Sequence, residues 1–213
     1  MIFIAVEGPD GAGKSTVAHG LARLLNAQLT HEPTKGRWGR EAKRLVDAGR
    51  NEEALDYFLA DRKEHALQVI YPTLMTGRPV VCDRFYLSSV VYQCCPGESL
   101  KLWRGRIGHF TALYPPALLP HLTVMVTADR EVLEERCRKR DGKQDVALTD
   151  WVMERYRWLM EEREGLVVFD STSYPERAMA AGALSQVIAA LPSYVGEAIS
   201  FSEAALQAAG EGQ

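Results

Sequence analysis

The chain has 213 residues, with 25 basic and 28 acidic side chains and a formal net charge of −3. This balance gives no support for a nucleic-acid-binding surface, and no apolar run is long enough to span a membrane. A chain of this length folds as one large domain without needing disulfides. Its four cysteines lack C-x-x-C or zinc-site spacing, which favours reduced thiols and a cytoplasmic location.

Short apolar runs alternate with stretches of helical spacing along the chain. The predicted strands are 2–7, 28–31, 79–82, 122–126 and 166–169, and the predicted helices are 16–25, 52–70, 150–164 and 175–191. Alternating strands and helices predict an α/β fold with a parallel sheet covered on both faces. We expect one domain over 1–192, no signal peptide before the first strand, and a tail or peripheral helix over 193–213.

The segment 8–15 fits the phosphate-binding P-loop pattern G-x-x-x-x-G-K-[ST]. It follows a predicted strand and precedes a predicted helix, which is the context that the motif requires. Its glycines let backbone N–H groups point at phosphate oxygens, while Lys14 reaches the β/γ-phosphates of ATP and the Ser15 hydroxyl binds Mg²⁺. The predicted nucleotide contacts are Gly8, Asp10, Gly11, Ala12, Gly13, Lys14, Ser15 and Thr16.

Asp83 and Arg84 directly follow the third predicted strand, at the sheet edge where the P-loop also lies. A carboxylate in that position usually helps to hold Mg²⁺, so Asp83 joins Ser15 as a predicted metal ligand. The Arg84 guanidinium matches a second phosphate group. The alternative is a structural ion pair between neighbouring strand ends.

Five of the ten residues in 136–145 are basic. Together with Arg62 and Arg84 they supply more positive charge than ATP alone requires, and a phosphorylated acceptor explains the surplus. We predict a mobile basic lid over about 136–147 that closes over the phosphates and excludes water. Arg136 and Arg140 are the predicted catalytic arginines, together with Lys14, Arg84 and Asp83. A solvated surface segment is the alternative for any single arginine.

Phe58 and Arg62 are four residues apart on a predicted helix, so both side chains lie on one face. An aromatic ring beside a guanidinium can stack on a base and bond its edge. Taken alone, the pair fits better a core phenylalanine with an arginine that extends outward to solvent.

These features together resemble the thymidylate kinase family of P-loop nucleoside monophosphate kinases. The resemblance covers 2 to about 191 and is carried by 7–16, Glu32-Pro33-Thr34, 58–65, Asp83-Arg84-Phe85 and Tyr92-Gln93. It implies a P-loop NTPase fold with a five-stranded parallel sheet, a homodimer, and Mg²⁺-dependent phosphoryl transfer from ATP to dTMP, giving dTDP.

The resemblance also implies roles for single residues, and it reverses the preference for Phe58 and Arg62. Phe58 would stack on thymine, Arg62 would bond its edge, and Arg84 would bind the acceptor phosphate. Because Gly11 and Ala12 leave no basic residue in that part of the loop, the catalytic arginine is expected in the lid. The implied acceptor contacts are Asp10, Glu32, Phe58, Arg62, Arg84, Ser89, Tyr92 and Gln93, with Tyr92 under the deoxyribose and Ser89 and Gln93 beside the base.

Three segments depart from the family pattern: Glu32-Pro33-Thr34 in place of E-P-G-G-T, Pro120-His121 in place of P-D, and 146–148 at the end of the lid, where D-x-x-E or similar is usual. The last puts lid closure in question. Two alternatives therefore stay open. One is a deoxynucleoside kinase that uses Glu32 as a general base. The other is a nucleotide-binding regulator without turnover.

Overall fold

The computed structural model describes residues 2–93, 118–141, 150–162 and 166–190. The predicted tail over 193–213 and the lid residues 142–147 lie outside these ranges. Five parallel strands form one sheet in the order β2-β3-β1-β4-β5. The strands are β1 Phe3–Glu7, β2 Gln28–His31, β3 Val80–Asp83, β4 Leu122–Thr127 and β5 Leu166–Asp170.

Helices connect the strands and cover both faces of the sheet, which confirms the predicted α/β fold. The α-helices are α1 Lys14–Leu24, α2 Arg37–Asp47, α3 Asn51–His65, α4 Tyr71–Met75, α5 Tyr86–Tyr92, α6 Arg130–Asp141, α7 Asp150–Glu162 and α8 Glu176–Ala190. A π-helical turn, Ala66–Ile70, joins α3 to α4. None of the helices in these ranges is long and apolar enough to cross a membrane.

Alternate residues of the central strand β1 enter two separate cores. Ile4 and Val6 pack on the side of α1, α6 and α8. Phe3 and Ala5 pack on the side of α5 and α7. Every residue of β1 is buried, and the four residues before Glu7 form a continuous apolar run, as expected for the centre of a parallel sheet.

The sheet register places the chemistry at one edge. Val6 pairs with Asp83 of β3 and with Val124 of β4, so the P-loop leaves β1 beside the end of β3. Parallel strands bring their carboxyl ends to the same edge, where ligands bind in open α/β sheets.

Four helices, α2, α4, α5 and α6, were not predicted. Helix α2 buries only Gly39, Ala42 and Leu45. Helix α6 is highly charged and buries Leu133 and Cys137. Each helix therefore has too few apolar residues to show a helical pattern in the sequence. Helix α6 also contains the start of the predicted lid, because residues 136–141 form its last turns. The first part of the basic run is therefore regular helix, anchored by Leu133 and Cys137.

Candidate active site

The P-loop lies between β1 and α1, and close backbone contacts fix its glycines. Gly8 has φ 144°, and a Cβ atom there would lie 2.0 Å from the carbonyl oxygen of Val126. Gly11 has φ 83°, and a Cβ atom there would lie 2.5 Å from the carbonyl oxygen of Leu133. Only glycine fits these two positions, so the loop is pressed against β4 and α6.

A cavity of about 490 Å³, here called the P-loop cavity, opens above this loop. It is strongly cationic, since five basic side chains line it against two acidic ones. Of the predicted nucleotide contacts, Gly8 and Ala12 do not line it, because Gly8 packs on Val126 and Ala12 is buried in the core. The lining residues are Asp10, Gly11, Gly13, Lys14, Ser15, Thr16, Arg84, Arg136, Lys139, Arg140, Glu176 and Met179.

Lys14 is buried at the base of the P-loop cavity. Its Nζ atom donates to the Pro9 carbonyl at 2.7 Å and to Asp10 Oδ1 at 3.3 Å. Burial, followed by repulsion from Arg84, lowers the pKa of Lys14 to about 8. A bound polyphosphate would restore the charged amine, because an anion stabilises it.

Ser15 and Asp83 meet across the sheet edge, where the Ser15 hydroxyl donates to Asp83 Oδ2 at 2.5 Å. Asp83 Oδ1 is buried and has no hydrogen-bond partner among the residues that the structure describes. A hydroxyl and a carboxylate with an unused buried oxygen are the hard ligands that Mg²⁺ prefers. The pair therefore fits the predicted metal site.

Arg84 follows β3 in a left-handed conformation, φ 69°, which a non-glycine residue rarely adopts. Its guanidinium pairs with Asp10 and donates to Ser88 Oγ at 3.2 Å. Burial alone would lower the pKa of Arg84, but the Asp10 carboxylate raises it well above the ordinary value. Burial likewise opposes ionisation of Asp10, yet Arg84 and Lys14 lower its pKa to about 2.

Glu7, the last residue of β1, is buried behind Arg84. Its carboxylate accepts hydrogen bonds from the backbone N–H of Phe85 at 2.8 Å and of Ser88 at 3.1 Å, and from the Ser88 hydroxyl at 2.6 Å. Burial raises the pKa of Glu7 in spite of these bonds. Glu7 thus caps the start of α5 and, through Ser88, reaches the guanidinium of Arg84.

A second cavity of about 740 Å³, here called the α3–α5 cavity, adjoins the first. The two cavities share Asp10 and Arg84. Ser88 and Trp151 also line it. All eight predicted acceptor contacts line the α3–α5 cavity: Asp10, Glu32, Phe58, Arg62, Arg84, Ser89, Tyr92 and Gln93.

Arg62 is held inside this cavity wall and is only 1% exposed, so the alternative of an outward-extending arginine is wrong. Its Nε donates to Glu32 Oε2 at 2.6 Å, and its Nη2 donates to Ser89 Oγ at 2.9 Å. The other Glu32 oxygen is 3.0 Å from His65 Nδ1. Both oxygens of Glu32 are therefore engaged in holding α3 against β2.

The segment after Glu32 is fixed by Asp61 of α3. The Thr34 backbone N–H and hydroxyl donate to the two Asp61 oxygens at 2.7 and 2.5 Å. Thr34, which stands where the family pattern E-P-G-G-T has glycine, therefore adds a side-chain hydrogen bond to Asp61. This bond holds the segment after Glu32 against the helix that carries Phe58 and Arg62.

Comparison with known proteins agrees with this arrangement. The family model for thymidylate kinase matches residues 6–181. The chain belongs to the thymidylate kinase family. The sequence-based prediction of a P-loop nucleoside monophosphate kinase is thereby confirmed.

Individual thymidylate kinases match over most of the chain. The probable thymidylate kinase of Archaeoglobus fulgidus is 32% identical over 82% of this chain and 88% of its own. That of Pyrobaculum aerophilum is 34% identical over 84% and 93%. The crystal structure of the Ehrlichia chaffeensis thymidylate kinase has a TM-score of 0.60 and 25% identity, and the match covers 90% of this chain and 98% of that one.

The arginines predicted to belong to the lid differ in their surroundings. Arg136 and Arg140 are one turn apart on α6 and both line the P-loop cavity, whereas Arg138 is exposed and does not. Arg136 donates to the Ser171 hydroxyl at 2.9 Å and to the Ser171 carbonyl at 3.0 Å. Arg140 contributes to lowering the pKa of Asp10.

The polar residues that sequence reasoning missed include Glu7, Ser88 and Ser171. Glu7 offered a signal, since a carboxylate that ends a wholly apolar strand needs a buried partner. Ser88 and Ser171 offered none, because a serine in a loop or helix is ordinarily solvated. Their roles depend on contacts across 81 and 159 positions of the chain.

Proposed function

We propose that the protein transfers the γ-phosphoryl group of ATP to dTMP, giving dTDP and ADP. The observation that carries this proposal is the pair of adjoining cavities that share Asp10 and Arg84. One is built on a P-loop, and the other combines an aromatic ring with a buried arginine. Two anionic substrates need neutralising charge where they meet, and Arg84 lies at that point.

The donor site is the P-loop cavity. Backbone N–H groups of the loop and Lys14 bind the β- and γ-phosphates. Arg140 and Arg136 add positive charge from α6, and the lid over about 136–147 excludes water. Ser15 and Asp83 would hold Mg²⁺, which when bound neutralises charge on the β- and γ-phosphate oxygens.

The acceptor site is the α3–α5 cavity. Arg84 holds the dTMP phosphate so that one of its oxygens faces the γ-phosphorus. A bond forms between that oxygen and phosphorus, the bond to the β-phosphate oxygen breaks, and ADP leaves. The acceptor phosphate has a second pKa of about 6 and is already ionised at neutral pH, so no general base is required.

Base selection comes from α3 and α5. Phe58 is half-buried on the cavity wall and stacks on thymine, while Arg62 bonds the base edge from its fixed position on Glu32. Ser89 and Gln93 border the base. Tyr92 lies beneath the sugar, with the Arg84 guanidinium 5.5 Å from its ring centre, and disfavours a 2′-hydroxyl.

The contacts of the Glu32 carboxylate argue against the nucleoside kinase alternative. A general base needs a carboxylate oxygen that is available to an acceptor hydroxyl. Both oxygens of Glu32 are instead engaged, one by Arg62 and one by His65. Glu32 therefore acts on the acceptor through Arg62.

We also propose a cytoplasmic homodimer. Leu67, Tyr71 and Met75 follow one another at intervals of four and are 53%, 45% and 61% exposed, an apolar stripe that a second copy would cover. Cys82 and Cys137 are buried and form no disulfide within the described residues, which suits a reducing compartment.

The test is ADP release from Mg·ATP across a panel of nucleosides and nucleoside monophosphates. Turnover on dTMP well above thymidine and the other monophosphates is the expected result. Turnover on nucleosides alone would refute the proposal and make Glu32 a candidate base. ATP binding without turnover on any acceptor would favour the regulator alternative.

A further inference from the structure

Ser171, which directly follows β5, lies at the junction of β4, β5, the P-loop and α6. Its side chain is fully buried, and its backbone N–H donates to the Thr127 carbonyl at 2.8 Å. Its hydroxyl donates to the carbonyl oxygen of Ala12 at 2.9 Å and accepts from Arg136 Nη1 at the same distance. The P-loop is thus tied to the end of the sheet by a side chain that does not line the P-loop cavity.

Arg136 completes the same junction from α6. Its guanidinium spans the Ser171 hydroxyl and the Ser171 carbonyl, and Nη1 is also 3.4 Å from the carbonyl oxygen of Gly11. These acceptors match the planar fork of a guanidinium and not the single point of an ammonium group. The carbonyls of two consecutive P-loop residues, Gly11 and Ala12, therefore face Arg136 and Ser171.

The direction of these carbonyls decides where the loop's N–H groups point. In a trans peptide the C=O of one residue and the N–H of the next lie on opposite sides of the chain. Because the Ala12 carbonyl is bound to Ser171, the Gly13 N–H is turned away from Ser171. Gly13 lines the P-loop cavity, the side on which an anion binds.

We infer that Ser171 and Arg136 are positioning residues that hold the P-loop in its phosphate-binding conformation. Arg136 acts through the loop backbone, and Arg140, one turn later on α6, also lines the P-loop cavity. The inference rests on the proposed function, since it assigns the P-loop cavity to the donor phosphates. Holding the loop before ligand binding lowers the conformational cost of binding.

The test compares Ser171→Ala with Ser173→Ala, an exposed serine in the same loop. Two quantities are measured: hydrogen exchange of the P-loop amides in ligand-free protein, and the Kd of Mg·ATP by calorimetry without acceptor. We expect faster exchange and a roughly tenfold rise in Kd for Ser171→Ala only, with the KM for dTMP unchanged. Equal exchange and equal Kd in the two variants would overturn the inference.

Arg136→Lys and Arg136→Gln separate the fork from the charge, with the exposed Arg138→Gln as control. If the planar guanidinium is required, Arg136→Lys should raise the Kd of Mg·ATP as much as Arg136→Gln does. Full rescue by Lys would show that only charge is required and would overturn the role given to Arg136. Should these variants fail to fold, Ser171→Ala still decides, because it removes a single oxygen atom.

Different results would refute the proposed donor site and the positioning role of Ser171 and Arg136. If the wild-type protein binds neither Mg·ATP nor inorganic tripolyphosphate, the proposed donor site is wrong, whatever the exchange data show. If the wild-type protein binds Mg·ATP and Ser171→Ala binds it equally well, the donor site stands and the positioning role falls.

Discussion

Replacing Glu32 by Gln tests how the acceptor site is built. The carboxylate is 6% exposed and joins Arg62 Nε at 2.6 Å to His65 Nδ1 at 3.0 Å. Glutamine has nearly the same shape, but it carries no charge and offers a single acceptor oxygen. The variant therefore leaves a buried guanidinium without its countercharge while it disturbs packing very little.

Removing one partner of a buried ion pair costs about 3–5 kcal/mol of unfolding free energy. Because Gln still accepts one hydrogen bond, we expect the lower end, about 3 kcal/mol. For a chain of this size each kcal/mol shifts Tm by about 2–4 °C, so the expected decrease in Tm is about 6–12 °C. Arg62 also loses its fixed direction, so the KM for dTMP should rise by at least about tenfold.

The assay combines thermal unfolding with steady-state kinetics on dTMP and thymidine. Glu154→Gln, an exposed position on α7, is the control and should match the wild type. A decrease in Tm below about 2 °C would show that the pair is not a buried ionic support. Selective loss of thymidine phosphorylation, with dTMP kinetics unchanged, would instead identify Glu32 as a catalytic base.

Four further predictions concern the donor side and Arg84. The pKa of Lys14 is lowered to about 8, so ATP binding at pH 8.5 should be accompanied by the uptake of a proton. Calorimetry in buffers of different ionisation enthalpy should detect this proton uptake for the wild type and should detect no uptake for Lys14→Met. The same shift means that the unfolded chain binds more protons between pH 8 and 10.5, so wild-type stability should rise with pH in that window relative to Lys14→Met; equal pH dependence in chemical unfolding would refute this. Asp83→Asn should lower kcat by at least about 100-fold and raise the Mg²⁺ concentration at half-maximal rate, measured by Mg²⁺ titration; an unchanged titration would remove Asp83 from the metal site. Ser88→Ala breaks the link from Glu7 to Arg84 and should raise the KM for dTMP about fivefold, with the KM for ATP unchanged and the exposed Ser185→Ala as control.

Local patterns predicted the parts of the site that are contiguous in sequence. The P-loop carries its own strand, turn and helix signals within about 25 residues, so both its conformation and its place at the sheet edge were predictable. Asp83 and Arg84 were found in the same way, since they end a short apolar run at that edge. Family resemblance added Phe58 and Arg62, for which spacing alone favoured the opposite reading.

What the sequence did not predict depends on long-range partners. The burial of Arg62 requires two partners, Glu32 directly after β2 and Ser89 of α5. The spacing of residues on α3 does not predict either partner. Helix α6 was missed because it buries only Leu133 and Cys137 amid charged residues. The whole basic run was therefore assigned to a mobile lid, although its first six residues are helical.

The sharing of Asp10 and Arg84 by both cavities has a thermodynamic consequence. In the ligand-free protein Asp10 is paired with Lys14 on one side and Arg84 on the other. A nucleotide that draws Lys14 towards its phosphates leaves Asp10 to Arg84 alone and so changes the charge offered to the other ligand. Linkage requires that each nucleotide then alter the affinity of its partner by the same factor. In that case one carboxylate would couple the two binding equilibria.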